Sequence, residues 1–213
     1  MTSRPRYGSL GKLLARSFFE RPSTVVAPEL LGKILVVRRS DRSGELRAGR
    51  LVEVEAYDGP TDPASHAAAG ETKRNRVMFG RGGHLYVYFT YGMHWCANAV
   101  CEPEGHGAGV LFRALAPLEG LEAMREARPA AKRDRDLTSG PAKLAQALSI
   151  DGEDDGLDLC SRKSPVVLLD DGFASEGVET SPRIGISKAT ERPWRWFVSG
   201  DPNVSRAPKR RAR

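Results

Sequence analysis

The chain is poor in cysteine and has no long apolar run. Its three cysteines, Cys96, Cys101 and Cys160, are an odd number and cannot close a disulfide framework, which points to a reducing, intracellular setting. No stretch approaches the roughly 20 apolar residues of a membrane-spanning helix. The opening Met-Thr-Ser-Arg-Pro-Arg lacks the apolar core of a secretory signal. The expectation is a protein neither secreted nor membrane-bound, in the cytoplasm and nucleoid of a bacterium or the nucleus of a eukaryote. Internal repeats and Ser/Gly- or Pro-rich linkers are also missing, so 213 residues read as one domain with tails.

Several signatures of chemistry are absent too. There is no P-loop, no Gly-x-Ser-x-Gly elbow and no His-Glu-x-x-His. Gly105-x-Gly-x-Gly109 leads into a strand pattern and not a helix, which excludes the dinucleotide fingerprint. Cys96-x4-Cys101 with His94 has no second half at zinc spacing. Neither a metal nor a cofactor is expected.

Acid is lacking at both ends. The sequence has 33 bases against 27 acids, a net charge of +6. Residues 1–16 hold Arg4, Arg6, Lys12 and Arg16, and residues 206–213 hold Arg206, Lys209, Arg210, Arg211 and Arg213, all without an acid. Without those nine bases, residues 17–205 carry 24 bases and 27 acids. The chain therefore divides into a basic amino-terminal tail or helix start (1–16), a slightly acidic domain (17–205) and a basic carboxy-terminal tail (206–213). The tails read either as solvated ends or as arms on a polyanion.

Periodicity predicts an α+β domain on a mostly antiparallel, curved sheet with flanking helices. A helical pattern spans Leu10–Phe19, and Pro28–Gly32 reads as one helical turn with Pro at its start. Strands are predicted at 33–39, 46–57, 84–91, 94–100, 109–116, 165–169, 184–187 and 195–198, with turns at 40–44 and 92–93. Helices are predicted at 117–128 and 139–150. The acid-rich 151–158 reads as an exposed loop, and 58–83, with two prolines and five glycines, as a long loop of the kind that carries function.

Candidate chemistry begins in Leu51–Tyr57. Strict alternation puts Val52, Val54 and Ala56 on one face and Glu53, Glu55 and Tyr57 on the other. The segment reads as the wet side of an edge strand, or as two acids roughly 6–7 Å apart, one a general base for water and one in support. The loop after it brings His66 back toward the strand end. Next, Lys73, Arg74, Arg76 and Arg81 lead into the aromatic hairpin Tyr86–Trp95, whose alternation turns Leu85, Val87 and Phe89 inward and leaves Tyr91 at the bend. Bases beside aromatics suit a polyanion whose bases stack, and an apolar hairpin tip suits a wedge between base steps; aromatics also favour strands in their own right.

Eight ordered segments go further: Val54-Glu55-Ala56-Tyr57; Asp58-Gly-Pro-x-Asp-x-x-Ser-His66; Arg74-Asn75-Arg76-x-Met78-Phe79; Leu85-Tyr86-Val87-Tyr88; Tyr91-Gly92-Met93; Asn98; Leu111–Leu115; and Ser139-Gly140-Pro141-x-Lys143-Leu144. Together they resemble the 3-methyladenine (alkyladenine) DNA glycosylase family of the mammalian type, over about residues 17–205. The resemblance implies base-excision repair of alkylated or deaminated purines (3-methyladenine, 7-methylguanine, hypoxanthine, ethenoadenine). The base is flipped out of duplex DNA and its N-glycosidic bond is cut by water, leaving an abasic site.

By the same resemblance Glu55 activates the water and Arg113 organises it. Tyr57, His66 and Tyr88 hold the flipped base, and Asn98 rejects the guanine 2-amino group. Tyr91, with Met93, wedges into the minor groove, and Arg74, Arg76 and Arg81 line the DNA. No metal or cofactor is implied, and a monomer is expected on the asymmetric substrate. His94-Trp95 departs from the family's usual pair and is expected to reshape the wall near Asn98. Two other classes stand beside this reading: a catalytically silent module for distorted DNA, and a sugar hydrolase using Glu53 and Glu55, which acids two apart on one strand do not favour.

Overall fold

A computed structural model describes residues 10–39 and 45–206. The predicted turn at 40–44 and most of both basic tails, Arg4, Arg6 and 207–213, lie outside the described residues. Two members of the amino-terminal run lie within the fold: Lys12 sits in strand β1 (Lys12–Leu13), and Arg16 pairs with Asp158 at 2.7 Å.

Among the described residues, the backbone of the fold is one nine-stranded antiparallel sheet, with α-helices packed against it. Beyond β1 its strands are β2 (Ile34–Arg38), β3 (Leu46–Asp58), β4 (Leu85–Thr90), β5 (His94–Cys101), β6 (Ala108–Glu119), β7 (Val166–Asp170), β8 (Val178–Ser181) and β9 (Arg195–Val198). The order runs β1-β7-β2-β3-β6-β5-β4, and β8 joins through β9, which pairs with β3. The 13-residue β3 thus has β2 and then β9 along one side and β6 along the other. It is a central strand and not an edge, which overturns the reading of Glu53 and Glu55 as a wet face: both are fully buried.

Strict alternation also fails within β3. The pairing with β6 slips on either side of Glu53, and such a bulge locally reverses which side chains point to which face. Leu51 consequently joins Val54 and Ala56 in the main core. That core lies under the helices α1 (Arg16–Phe19), α2 (Ser23–Leu30), α3 (Leu121–Ala127) and α4 (Pro141–Ala147), with Phe19, Leu30, Phe112, Leu115 and Leu144 among its fully buried members. Burying a Leu or Phe side chain contributes about 1.5–3 kcal/mol. None of the helices described is long and apolar enough to cross a membrane.

Several boundaries differ from expectation for physical reasons. Pro28 sits in the last turn of α2, not at a helix start, because Val26, Ala27 and Leu30 bury the preceding turn against the sheet. Pro117 and Leu118 belong to β6 and not to a helix. The long β3 keeps pairing with β6 as far as Glu119, and Gly120 at φ 74° then turns the chain into α3. No strand forms at 184–187; β9 pairs with β3 on one side and β8 on the other. The acidic segment is pinned rather than free: Asp154 is buried on Arg39, and Asp155 accepts the Val87 N–H at 2.8 Å. Phe89 is exposed at 42%, against its inward assignment, whereas Tyr86 is buried.

Away from the helices, the loop 58–83 folds back over the other side of the sheet. Its Ala67 and Met78 pack with Tyr86 and Val100 into a separate cluster. Between that cluster and β9 the sheet carries polar side chains.

Candidate active site

Three side chains meet where β3 and β6 slip past each other. Arg113, on β6, sends Nε to Glu53 Oε1 at 2.8 Å and Nη1 to Glu55 Oε1 at 3.3 Å. Glu53 also takes Arg195 Nε at 2.7 Å, and the Ser205 amide and hydroxyl at 2.6 and 2.8 Å. Glu55 accepts the Ile184 N–H at 2.7 Å and the Tyr57 hydroxyl at 2.9 Å. The 182–194 stretch, read as containing a strand, is instead an irregular arm that closes over Glu55.

These neighbours set the two acids apart. Burial pushes the Glu55 carboxyl above the ordinary glutamate range, against the pull of Arg113, the Ile184 amide and the Tyr57 hydroxyl. Burial acts on Glu53 as well, but Arg113 and Arg195 outweigh it and hold that carboxyl below the ordinary range. One acid is a fixed counter-ion and the other is poised to take a proton.

Tyr57 and Arg113 open onto a cavity of about 520 Å3, within the roughly 300–1,000 Å3 of small-ligand sites. His66, Tyr88, Tyr91 and Asn98 also line it, as do Cys96 and Leu111. The walls are aromatic: His66 meets Tyr88 edge-on at 4.4 Å, and Tyr86 stacks with Tyr88 at 5.5 Å. His66 Nδ1 lies 3.2 Å from the Tyr86 hydroxyl. Although His66 keeps an exposed edge, desolvation by its surroundings and then Arg74 push the imidazole below its ordinary value, so it is neutral near pH 7. Burial pushes Tyr86 up to about 12 and raises Tyr57 and Tyr88 well above the ordinary phenol value, so all three stay protonated donors. Asn98 is oriented by donating to the Tyr86 carbonyl at 3.1 Å.

Of the remaining predicted residues, Met93, Arg74, Arg76 and Arg81 lie outside the lining, and Tyr91 reaches it from the hairpin tip. Tyr91 is 81% exposed and Met93 67% exposed at the hairpin tip, where Tyr91 adopts φ 51°, costly for a non-glycine residue. Arg74 donates to the Phe89 carbonyl at 2.7 Å, Arg76 pairs with Glu71 at 3.3 Å, and Arg81 is held by Glu20 at 2.6 Å. Trp95 does not shape the wall near Asn98: it packs on the helix side of the sheet, against Phe89 at 4.8 Å, and His94 is exposed.

Sequence reasoning missed four supports. Arg183 and Asp62 form a fully buried ion pair, and the Arg183 guanidinium sits 4.6 Å over the Tyr57 ring. Asn75 donates to the His66 and Gly70 carbonyls at 2.9 and 3.0 Å, fixing the loop that carries His66. Arg195 and Ser205 hold Glu53. The partners of Arg183, Arg195 and Ser205 lie up to 152 residues away in sequence, beyond any local pattern; Asp62 and Asn75 stood in recognised motifs. Asp58, Glu102 and His106 bring potential metal-binding atoms within 4.8 Å of one another, outside the cavity lining.

Residues 17–202 match the family described as methylpurine-DNA glycosylase (MPG). The chain belongs to that family. It is accordingly a DNA glycosylase, a hydrolase of the N-glycosidic bond that serves repair of alkylated DNA. Among its curated relatives, each named "Putative 3-methyladenine DNA glycosylase", that of Burkholderia lata is 54% identical over 202 residues, 94% of this chain and 95% of the relative. That of Streptomyces avermitilis is 48% identical over 205 residues, 93% and 95% of the two chains. That of Chlorobaculum parvum is 47% identical over 206 residues, 94% and 96% of the two chains.

Proposed function

We propose that this glycosylase flips an alkylated purine from duplex DNA into the aromatic cavity and cuts its glycosidic bond with a water that Glu55 deprotonates. One observation carries the reading: a buried carboxylate with a raised proton affinity stands behind the wall of an aromatic cavity, beside Arg113. A silent binding module has no use for such a group. Nor does the site suit a paired-carboxylate sugar hydrolase, because Glu53, locked by two arginines and held anionic, has no proton to donate.

The chemistry follows from charge. Methylation at purine N3 or N7 makes the ring cationic, so the C1′–N bond breaks with its electron pair neutralising the departing base. Water oxygen bonds to C1′, and its proton passes to Glu55, leaving an abasic sugar. The carboxylate also stabilises positive charge developing on the sugar.

Tyr57, His66 and Tyr88 hold the base; a cation over a tyrosine face is worth about 0.5–2 kcal/mol. Asn98, fixed by Tyr86, discriminates against the 2-amino group of neutral guanine, a penalty that the positive charge of 7-methylguanine offsets. Tyr91 and Met93 fill the gap left in the stack, and Arg74, Arg76 and Arg81 contact phosphates nearby. Flipping costs a few kcal/mol, least for damaged pairs, which itself selects lesions. Hypoxanthine and ethenoadenine are neutral and need a proton on the leaving base, so they are the slower substrates. The protein acts as a monomer, without metal.

The test is incubation of methylated duplex DNA with the protein, with chromatography of the released bases. Free 3-methyladenine and 7-methylguanine, with matching alkali-labile sites, are expected. Intact DNA at stoichiometric enzyme would overturn the reading.

A further inference from the structure

Glu53 is fully buried and is not needed as a second acid, yet its carboxylate accepts four hydrogen bonds. Its Oε1 accepts from Arg113 Nε, Arg195 Nε and the Ser205 hydroxyl, and its Oε2 from the Ser205 amide. Arg195 is braced in turn by Ser181 on β8 at 2.8 Å, and Arg113 Nη2 reaches Ser205 at 3.4 Å. Glu53 thus ties together β3, β6, β9 and the segment after β9.

We propose that Glu53 is a positioning residue for the hydrolysis: it holds Arg113 by Nε so that Nη1 alone faces Glu55. The inference rests on the reading of Glu55 as base. A free arginine beside a carboxylate prefers the two-bonded fork. That fork would cover Glu55 and make it a weaker base, and Glu53 prevents it by occupying the Nε edge. The slipped β3–β6 pairing beside Glu53 sets Arg113 between the two acids.

Other charged or titratable groups facing Glu55 are Tyr57 on β3, Tyr88 on β4, Cys96 on β5 and Arg183 on the arm after β8. Removing the Glu53 charge leaves these in place. It removes a repulsion on Glu55 and frees Arg113 toward it, and both changes lower the proton affinity of Glu55.

The experiment compares Glu53→Gln with the full-length wild type in single-turnover excision of 7-methylguanine from duplex DNA across pH, alongside equilibrium binding and thermal melting. The expected result is a rate lowered about 10–100-fold, affinity within about threefold, and an acid limb of the pH–rate profile moved to lower pH. A wild-type rate overturns the proposal. So does a rate loss with an unmoved acid limb, which would leave Glu53 a structural role alone. Should Glu53→Gln not fold, Ser205→Ala removes one hydroxyl from Glu53 and Arg113 while keeping every charge. Slower excision at unchanged affinity then supports the proposal, and an unchanged rate overturns it. Glu55→Gln in the same assay separates the two claims. Excision by that variant sinks the base reading, whereas its inactivity beside a normal Glu53→Gln sinks only this one.

Discussion

The Tyr57 hydroxyl donates to Glu55 Oε2 at 2.9 Å while Arg183 covers the same ring at 4.6 Å. Tyr57 therefore serves two surfaces. Its edge fixes the carboxylate proposed to activate water, and its ring forms part of the cavity proposed to receive the base. Because burial and then the Glu55 charge hold its phenol far above the ordinary value, it donates at every pH at which the protein works.

Tyr57→Phe keeps the ring and removes that bond. The bond lowers Glu55, so its loss raises the carboxyl further and moves the acid limb of excision to higher pH, opposite to Glu53→Gln. The rate near neutrality is expected to fall about tenfold, and pH–rate profiles under single-turnover conditions check both statements.

Arg183→Ala leaves Asp62 charged inside the protein with Arg192, 4.0 Å away, as its remaining cation. Breaking a buried pair from one side costs about 3–5 kcal/mol, which for a domain of this size lowers Tm by roughly 10 °C. Calorimetry with and without the substitution measures it. A change below about 1 kcal/mol would mean the pair is solvent-screened.

The acids of the site also make stability depend on pH. Burial would raise Asp62, but its bond from Arg183 prevails and holds it below the ordinary range, and Glu53 behaves alike. Their stabilisation is present above the ordinary carboxylate range and is lost as pH falls through their lower folded values. Glu55 has the opposite sign, stabilising when protonated and losing that contribution as pH rises through its raised value. The expected melting curve falls on acidification below pH ~4, and Asp62→Asn flattens that fall.

Tyr91→Ala separates binding from folding. An 81% exposed tip residue contributes within about 0.5 kcal/mol to stability, whereas losing a side chain that stacks on bases costs about 1–3 kcal/mol of affinity. Tyr91→Gly, which relieves φ 51°, is expected to bind as poorly and melt slightly higher. Lesion-duplex binding by anisotropy, unchanged in both, would remove the wedge.

What was legible in the sequence was what local pattern encodes. Alternation and turn composition marked β2, β3 and the β4–β5 hairpin, and the motif order brought forward Glu55, Tyr57, His66, Tyr88, Asn98 and Arg113, all of which the fold gathers around one cavity. Legibility ended where tertiary pairing decides. Leu118, Leu121 and Met124 imitate a helix face, but β3 is long enough to keep Leu118 in β6. Val52 and Val54 look equivalent until the slip at Glu53 reverses the faces. Arg183 and Arg195 reach their carboxylates across 121 and 142 residues, and no spacing rule reports that. The acids at 151–158 looked solvated because their partners, Arg39 and Arg16, lie on distant elements.

The central claim is that Glu55 activates the attacking water, and single-turnover excision of 7-methylguanine by Glu55→Gln tests it most directly. The variant is isosteric and removes no cavity wall, so lesion binding and melting temperature should stay near wild type while the rate falls at least about 100-fold. A folded Glu55→Gln protein that excises at the wild-type rate would contradict the account.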